Sequence, residues 1–218
     1  MKVIVFDLDD TLYDEMTYVY SGFRAVARYL HERYEVDENE AYDKMCNFLS
    51  INGRGSVFDD ILKYFNVYNQ SSVKQCISVY RGHSPKLALF PDAEIILSEY
   101  ASYPLYIVTD GNKLVQHRKL EALQLYSRVK KCFVTHRYGR HHAKPSPYCF
   151  LKIAKQEKVE PKDIIYVGDN VSKDFVGIKP LGFNTAQVMR GSYVNIQRPK
   201  EFQADWNIHN LLELRSIL

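Results

Sequence analysis

Val3-Ile4-Val5-Phe6 is apolar at four consecutive positions and then gives way to acids in Asp7-Leu8-Asp9-Asp10. A strand with one wet face alternates apolar and polar residues. One that is apolar throughout is covered on both faces, as in a parallel sheet sheathed by helices. Leu105-Tyr106-Ile107-Val108 and Ile164-Ile165-Tyr166-Val167 repeat the pattern, and Lys131-Cys132-Phe133-Val134 is a weaker copy. Helix-patterned segments at about 93–100, 113–125 and 147–158 separate these runs, so strand and helix alternate. That order predicts an α/β fold with a doubly wound parallel sheet. In the tail, 183–190 reads as a further strand, 204–208 as a short one and 209–217 as a final helix.

Between Tyr13 and about Pro85 the strand signal vanishes. Segments 17–34, 38–49, 57–65 and 72–80 are helix-patterned, broken by Asn52-Gly53-Arg54-Gly55 and by 66–72. One strand-to-strand crossover needs far fewer residues than this. The expected organisation is a core domain of 1–13 and 86–218 with an inserted helical domain of 14–85; helices packing on the sheet as plain crossovers are the alternative.

With 218 residues, 46% of them hydrophobic, the chain can bury a substantial core, and disorder is excluded. The formal net charge is +3, and Lys and Arg are scattered from Lys2 to Arg215. That is not the concentrated stripe of a protein that binds a nucleic acid polymer. Cys46, Cys76, Cys132 and Cys149 stand singly, without zinc-site spacing, and read as reduced thiols. No run of about 18 apolar residues occurs, and Val3 to Phe6 is too short for a signal segment. The expectation is a cytoplasmic protein with no membrane partner, as a monomer or homodimer.

In an open α/β sheet reactive groups gather at the carboxyl ends of strands. Four polar clusters fall there: Asp7 to Thr11, Thr109-Asp110-Gly111-Asn112, Lys144 in the loop after the third run, and Gly168-Asp169-Asn170 with Asp174. Asp7 and Asp9 are two residues apart, so on extended backbone both leave on the same side. Crowded acids repel unless a cation joins them. Mg²⁺ prefers carboxylate and carbonyl oxygens, with Asp169 as the natural third acid, and Lys144 would balance the remaining charge and hold a phosphoryl oxygen. Taken singly, each cluster is equally a turn or a helix cap: Asp9 and Thr11 as caps, Thr109 to Asn112 and Gly168-Asp169 as strand-to-helix turns. Their joint occurrence points to phosphoryl transfer.

At these residues the sequence resembles the haloacid dehalogenase superfamily of phosphotransferases. Its DxDx[TV] element appears as FDLDDTLYD (Asp7, Asp9, Thr11), its Ser or Thr as IVTDGN (Thr109), its Lys as HAKPSP (Lys144) and its acidic element as VGDNVSKDF (Asp169, Asp174). All four occur in order, and the resemblance implies a Rossmann-like core across essentially the whole chain. It also explains the insertion: a helical C1 cap enters just after the first motif, closes over the active site and supplies specificity.

By resemblance, Asp7 attacks phosphorus to form an aspartyl phosphate, and Asp9 protonates the leaving oxygen and then deprotonates water. Neighbouring negative charge is expected to raise the Asp9 pKa. Thr109 and Lys144 hold the phosphoryl group, and Mg²⁺ is held by the Asp7 carboxylate, the Asp9 carbonyl and Asp169. Asp174 supports the metal's waters or orients Lys144. Backbone N–H groups of Leu8 and of Asp110 or Gly111 are candidate phosphate donors, with Thr11 also in that region.

Dehalogenases and phosphonate hydrolases of the superfamily lack an acid equivalent to Asp9, whereas β-phosphoglucomutase-like mutases keep both acids. Phosphorelay receiver domains also form an aspartyl phosphate beside a Lys, but they are much shorter and lack the insertion. An inactive binding relative would have lost catalytic positions, and here all are intact. The expected substrate is a small phosphate ester, a sugar phosphate or nucleotide, because Tyr80 to Pro85 and Phe90-Pro91-Asp92-Ala93 resemble the cap-to-core return of bacterial members acting on such esters. In the cap, Tyr13, Tyr18, Tyr20 and Phe23 read as core at helical spacing, and Arg54 in its glycine turn is the specificity candidate. The loop 135–145, with Arg137, Arg140, His141 and His142, is either a solvated basic loop or a contact for an anionic leaving group.

Overall fold

The computed structural model describes residues 2–218. In chain order the elements are β1 (Val3–Phe6), α1 (Glu15–Tyr34), α2 (Glu38–Asn52), α3 (Val57–Tyr64), α4 (Gln70–Gly82), α5 (Pro91–Glu99), β2 (Leu105–Thr109), α6 (Lys113–Ala122), β3 (Lys131–Val134), α7 (Tyr148–Glu157), β4 (Ile164–Gly168), β5 (Asn184–Val188) and β6 (Trp206–Ile208). The chain forms two compact units, Met1–Glu15 with Leu87–Leu218, and Met16–Lys86.

The first unit is built on one six-stranded sheet of order β3-β2-β1-β4-β5-β6, every neighbouring pair parallel. The fold is the α/β doubly wound one. β1 lies at its centre, Ile4 paired with Leu105 on one side and with Ile165 on the other. Residues of β1, β2 and β4 are all buried, which is why their sequences are apolar up to the terminal Thr109 of β2 and Gly168 of β4. One face packs Val3, Val5, Tyr106, Val108, Ile164 and Tyr166 against Phe150, Ile153, Phe175 and Phe183. Strand order reverses around β1, so the crevice at its carboxyl end is the switch point where such sheets place their sites.

The second unit is helical. Val19, Phe23, Val26 and Leu30 of α1 pack on Met45 of α2, Ile61 and Leu62 of α3 and Cys76 of α4. The Asp37 and Asn69 side chains cap α2 and α4, accepting from the N–H of Glu40 and Ser72. Gly22 is required on α1, because a β-carbon there would collide with the Tyr80 ring. Tyr18 and Phe23 are core, whereas Tyr20 is exposed.

The tail differs from its predicted α-helix. Residues Leu211–Ser216 form a 3₁₀ helix, started by a reciprocal cap between Asn210 and Glu213. Leu211 and Leu214 are its buried residues, and a three-residue period puts them on one edge. The Leu211 N–H is also drawn to Asp92 Oδ2, at 2.7 Å. Helix α6 stops three residues early, at Ala122, because Gln124 turns to φ 53°. Among the described residues no helix is long and apolar enough to cross a membrane.

Candidate active site

The four polar clusters meet at the carboxyl ends of β1, β2 and β4. The Asp7 N–H donates to the Val167 carbonyl at 2.8 Å, extending the β1–β4 register one residue beyond the strand. Asp169 follows β4 directly, and its carbonyl accepts from Gln187 Nε2 at 3.1 Å. Asp174 is brought back by a tight turn in which Asn170 N–H donates to its Oδ2 at 2.9 Å. That approach requires Gly168, where a β-carbon would overlap the Asp174 carboxylate. Asp7, Asp169 and Asp174 are all buried, and one oxygen from each lies within 4.8 Å of the others.

Lys144 enters this cluster from the loop after β3. Its Nζ stands 2.9 Å from Asp7 Oδ1, 2.8 Å from Asp174 Oδ1 and 2.9 Å from the Tyr166 hydroxyl. Burial alone would discharge the ammonium, but the Asp174 and Asp7 charges outweigh it and hold its pKa well above the ordinary value. One cation does not balance three acids. Burial raises Asp7 to about 7 against the pull of Lys144, and burial with the charges of Asp7 and Asp174 raises Asp169 to about 9. Asp7 Oδ1 is buried without a hydrogen bond, Lys144 being at ion-pair distance but out of bonding alignment. Hard carboxylate oxygens short of positive charge are the donor set that suits Mg²⁺, so the residues present fit that ion.

Asp9 belongs to a second cluster. Its Oδ1 accepts from the Tyr13 hydroxyl at 2.6 Å and from Lys119 Nζ at 2.7 Å, and its Oδ2 accepts from Gln116 Nε2 at 2.9 Å. The expected raised pKa is therefore corrected. Burial does push Asp9 upward, but the Lys119 charge and the hydrogen bonds from Lys119, Tyr13 and Gln116 prevail and lower it. The backbone turns between Asp9 and Tyr13, with Asp10 at φ 53°, and Asp7 and Asp9 meet different partners, Lys144 for the first and Tyr13, Gln116 and Lys119 for the second.

Thr109 ends β2, buried, and its hydroxyl accepts from Gln116 Nε2 at 2.6 Å. Gly111, at φ 136°, leaves the space that the Gln116 side chain fills, 3.2 Å from where a β-carbon would sit. The Asp110 carboxylate ties the loops together, accepting from Thr135 Oγ1, the Lys144 N–H and Lys173 Nζ at 2.7, 3.1 and 3.1 Å. Burial opposes its ionisation, but the Lys144 and Lys173 charges lower its pKa. The Thr11 hydroxyl is buried without a hydrogen bond. Arg54 belongs to the helical unit, on the exposed turn between α2 and α3, 3.7 Å from Met16 Sδ. In the basic loop the His142 ring stacks on Tyr148, centroids 3.7 Å apart.

Gln116, Lys119, Tyr166 and Lys173 join the site although they lie in none of the four polar clusters, and Tyr13 joins it although its spacing reads as cap core. No sequence signal marks the α6 pair: that its buried positions Gln116, Lys119 and Leu120 are mostly polar emerges only from the fold, where a helix with a polar inward face has something polar to meet.

A description of haloacid dehalogenase-like hydrolases matches residues 1–182. The chain belongs to that family and is an enzyme of its hydrolase class. It is 29% identical to a glyceraldehyde 3-phosphate phosphatase of Methanocaldococcus jannaschii, over 100% of this chain and 97% of that protein. It is 28% identical to a protein of the same name from Pyrococcus furiosus, over 100% and 93%. A solved HAD phosphatase from Thermococcus onnurineus superposes with a TM-score of 0.63 at 25% identity, over 100% of this chain and 97% of that one.

Proposed function

We propose that the protein hydrolyses the phosphate monoester of a small metabolite, a triose or other sugar phosphate, at the carboxyl end of β1. The observation that carries this reading is Lys144 Nζ held between Asp7 and Asp174 beside the buried carboxylate of Asp169. The names of the relatives support the substrate class.

Asp9, ionised before substrate enters, takes up the proton of a monoanionic phosphate ester; an Asp7 oxygen then attacks phosphorus as the ester P–O bond breaks, and the departing oxygen takes that proton from Asp9. Water then attacks the aspartyl phosphate and gives its proton to Asp9, and the Asp7–phosphorus bond breaks to release inorganic phosphate. Lys144 offsets charge on the phosphoryl oxygens, and the Thr109 hydroxyl donates to one of them. Mg²⁺, when bound by the Asp7 carboxylate, the Asp9 carbonyl and Asp169, neutralises charge that these residues cannot balance themselves. Asp174 orients Lys144. The helical unit acts as a specificity cap, with Arg54 as its candidate contact, and the small ester is a cytoplasmic metabolite.

The test is release of inorganic phosphate from a panel of triose, pentose and hexose phosphates and nucleoside monophosphates with Mg²⁺. Glyceraldehyde 3-phosphate is expected among the better substrates, and Asp7→Asn is expected to reduce its turnover to background. Retention of most activity by Asp7→Asn would sink the nucleophile assignment, and equal low rates on every ester would sink the substrate class.

A further inference from the structure

Gln116 and Lys119 lie three residues apart on α6, so they project from one face of the helix, and both are almost fully buried. A buried amide and a buried ammonium are costly unless their protons are used. Here they are. Lys119 Nζ meets Asp9 Oδ1 at 2.7 Å and Glu15 Oε1 at 3.6 Å. Gln116 Nε2 has two protons, one directed to Asp9 Oδ2 and the other to Thr109 Oγ1. The amide orientation is forced by chemistry, because an ionised carboxylate only accepts and so must face the NH₂ group.

This arrangement has two consequences for atoms of the reaction. The Thr109 hydroxyl accepts from Gln116, so its own proton is left to point elsewhere, as required of a donor to a phosphoryl oxygen. The two Asp9 oxygens are also made unequal. Oδ1 accepts from both Tyr13 and Lys119, whereas Oδ2 accepts only from Gln116 among the described residues. Oδ2 therefore retains a lone-pair position for the transferred proton, and the grip on Oδ1 fixes where that position points.

We infer that Gln116 and Lys119 are positioning residues: together they set the rotation of the Asp9 carboxyl, presenting Oδ2 to the leaving group, and Gln116 sets the hydrogen-bond polarity of Thr109. The inference rests on the reading of Asp9 as the general acid. Their contacts in the site are with Asp9 and Thr109. Each acts through one of these, and neither is replaceable by an apolar side chain of similar size.

Leaving-group dependence tests this. The kcat/KM of an aryl ester, 4-nitrophenyl phosphate, covers steps whose leaving group departs without a proton, whereas that of an alkyl ester, glycerol phosphate, covers steps that need one. Both are measured with Mg²⁺ for the full chain and for Asp9→Asn, Gln116→Met, Gln116→Glu, Lys119→Met and Lys119→Arg. General acid catalysis contributes roughly 10²–10⁴-fold. Gln116→Met and Lys119→Met are each expected to lose at least ~10-fold more on the alkyl ester than on the aryl ester, in the direction of Asp9→Asn. Lys119→Arg, which keeps the charge and a donor, should restore most of that difference, and Gln116→Glu, which can only accept from Thr109 and repels Asp9, should not.

Equal losses on both esters, with Asp9→Asn still selective, would show that Gln116 and Lys119 merely support the fold and would overturn the inference while leaving the acid assignment standing. Unchanged ratios would overturn it too. If Asp9→Asn itself shows no selectivity, the acid assignment fails and the inference with it. Should either Met variant fail to fold, Gln116→Glu against Lys119→Arg gives the same contrast at nearly constant volume.

Discussion

Gly177 leaves no space for a side chain beneath Pro145: a β-carbon built on it would fall inside the van der Waals shell of the Pro145 carbonyl oxygen. Pro145 follows Lys144, so the segment after β4 clamps the backbone of the residue that delivers the only cation paired with both Asp7 and Asp174 among the described residues. The position of Lys144 therefore depends on a glycine distant from it in sequence and outside every motif element.

Gly177→Ala is expected to displace that loop and to destabilise the protein by overpacking, about 1–3 kcal/mol or more. For a chain of this size such a loss lowers Tm by roughly 2–4 °C per kcal/mol. Thermal unfolding checks the stability effect and kcat the displacement of Lys144. Wild-type values for both would show that the loop yields without moving the lysine.

Asp7, raised by burial and the Asp174 charge, and Asp169, raised by burial and the charges of Asp7 and Asp174, make binding of a divalent cation a stabilising event as well as a catalytic one. Mg²⁺ at a hundred times its Kd should stabilise the fold by about 2.7 kcal/mol. Unfolding scans with Mg²⁺ and with EDTA should show that increment, and Asp169→Asn should abolish most of it. No Mg²⁺-dependent shift in the wild-type protein would contradict the assignment of the ion to these residues.

Arg190 grips Asp92 through both terminal guanidinium nitrogens, and the Leu211 N–H donates to the same carboxylate. Burial raises the Asp92 pKa, but the Arg190 hydrogen bond and charge with the Leu211 bond lower it overall. A carboxyl depressed on folding contributes stability above its unfolded pKa, about 3.9, and loses it as pH falls through the folded value. Asp92→Asn should cost about 1–3 kcal/mol at pH 7. Its deficit should shrink below pH 4, because the wild-type carboxylate is then being protonated. Urea unfolding at pH 7 and pH 3 tests the sign, and a deficit that grew on acidification would refute it.

The doubly wound sheet was legible because three of its strands carry unbroken apolar runs, and Asp7, Thr109 and Asp169 were legible because they stand directly at the ends of such runs. Gln116 and Lys119 were not, since a polar residue within a helix normally faces solvent, and only the fold reveals that this face of α6 turns inward. The lowered Asp9 pKa is hidden in the sequence for the same reason. The sequence displays the acids as neighbours, whereas the cation and donors that surround Asp9 lie over a hundred residues away on α6, apart from Tyr13. The tail is ambiguous in sequence because two leucines three residues apart satisfy a helical and a 3₁₀ pattern equally.

Tyr166 was readable only as one more apolar position of β4, yet its hydroxyl accepts from Lys144 Nζ at 2.9 Å and donates toward Asp174 Oδ1 at 3.3 Å. The ring is fixed edge-to-face on Phe150 with centroids 4.7 Å apart, so the hydroxyl is held by packing rather than by the lysine. Tyr166→Phe keeps that packing and deprives one buried ammonium proton of its acceptor, a loss of about 1–3 kcal/mol. The ammonium then has only Asp7 and Asp174 to fix its direction. The expected outcome is a kcat several-fold below wild type, with a Tm reduction that Tyr166→Phe shares with Lys144→Met far less than additively in the double variant. Additive Tm losses would mean that the hydroxyl and the ammonium act independently despite their contact.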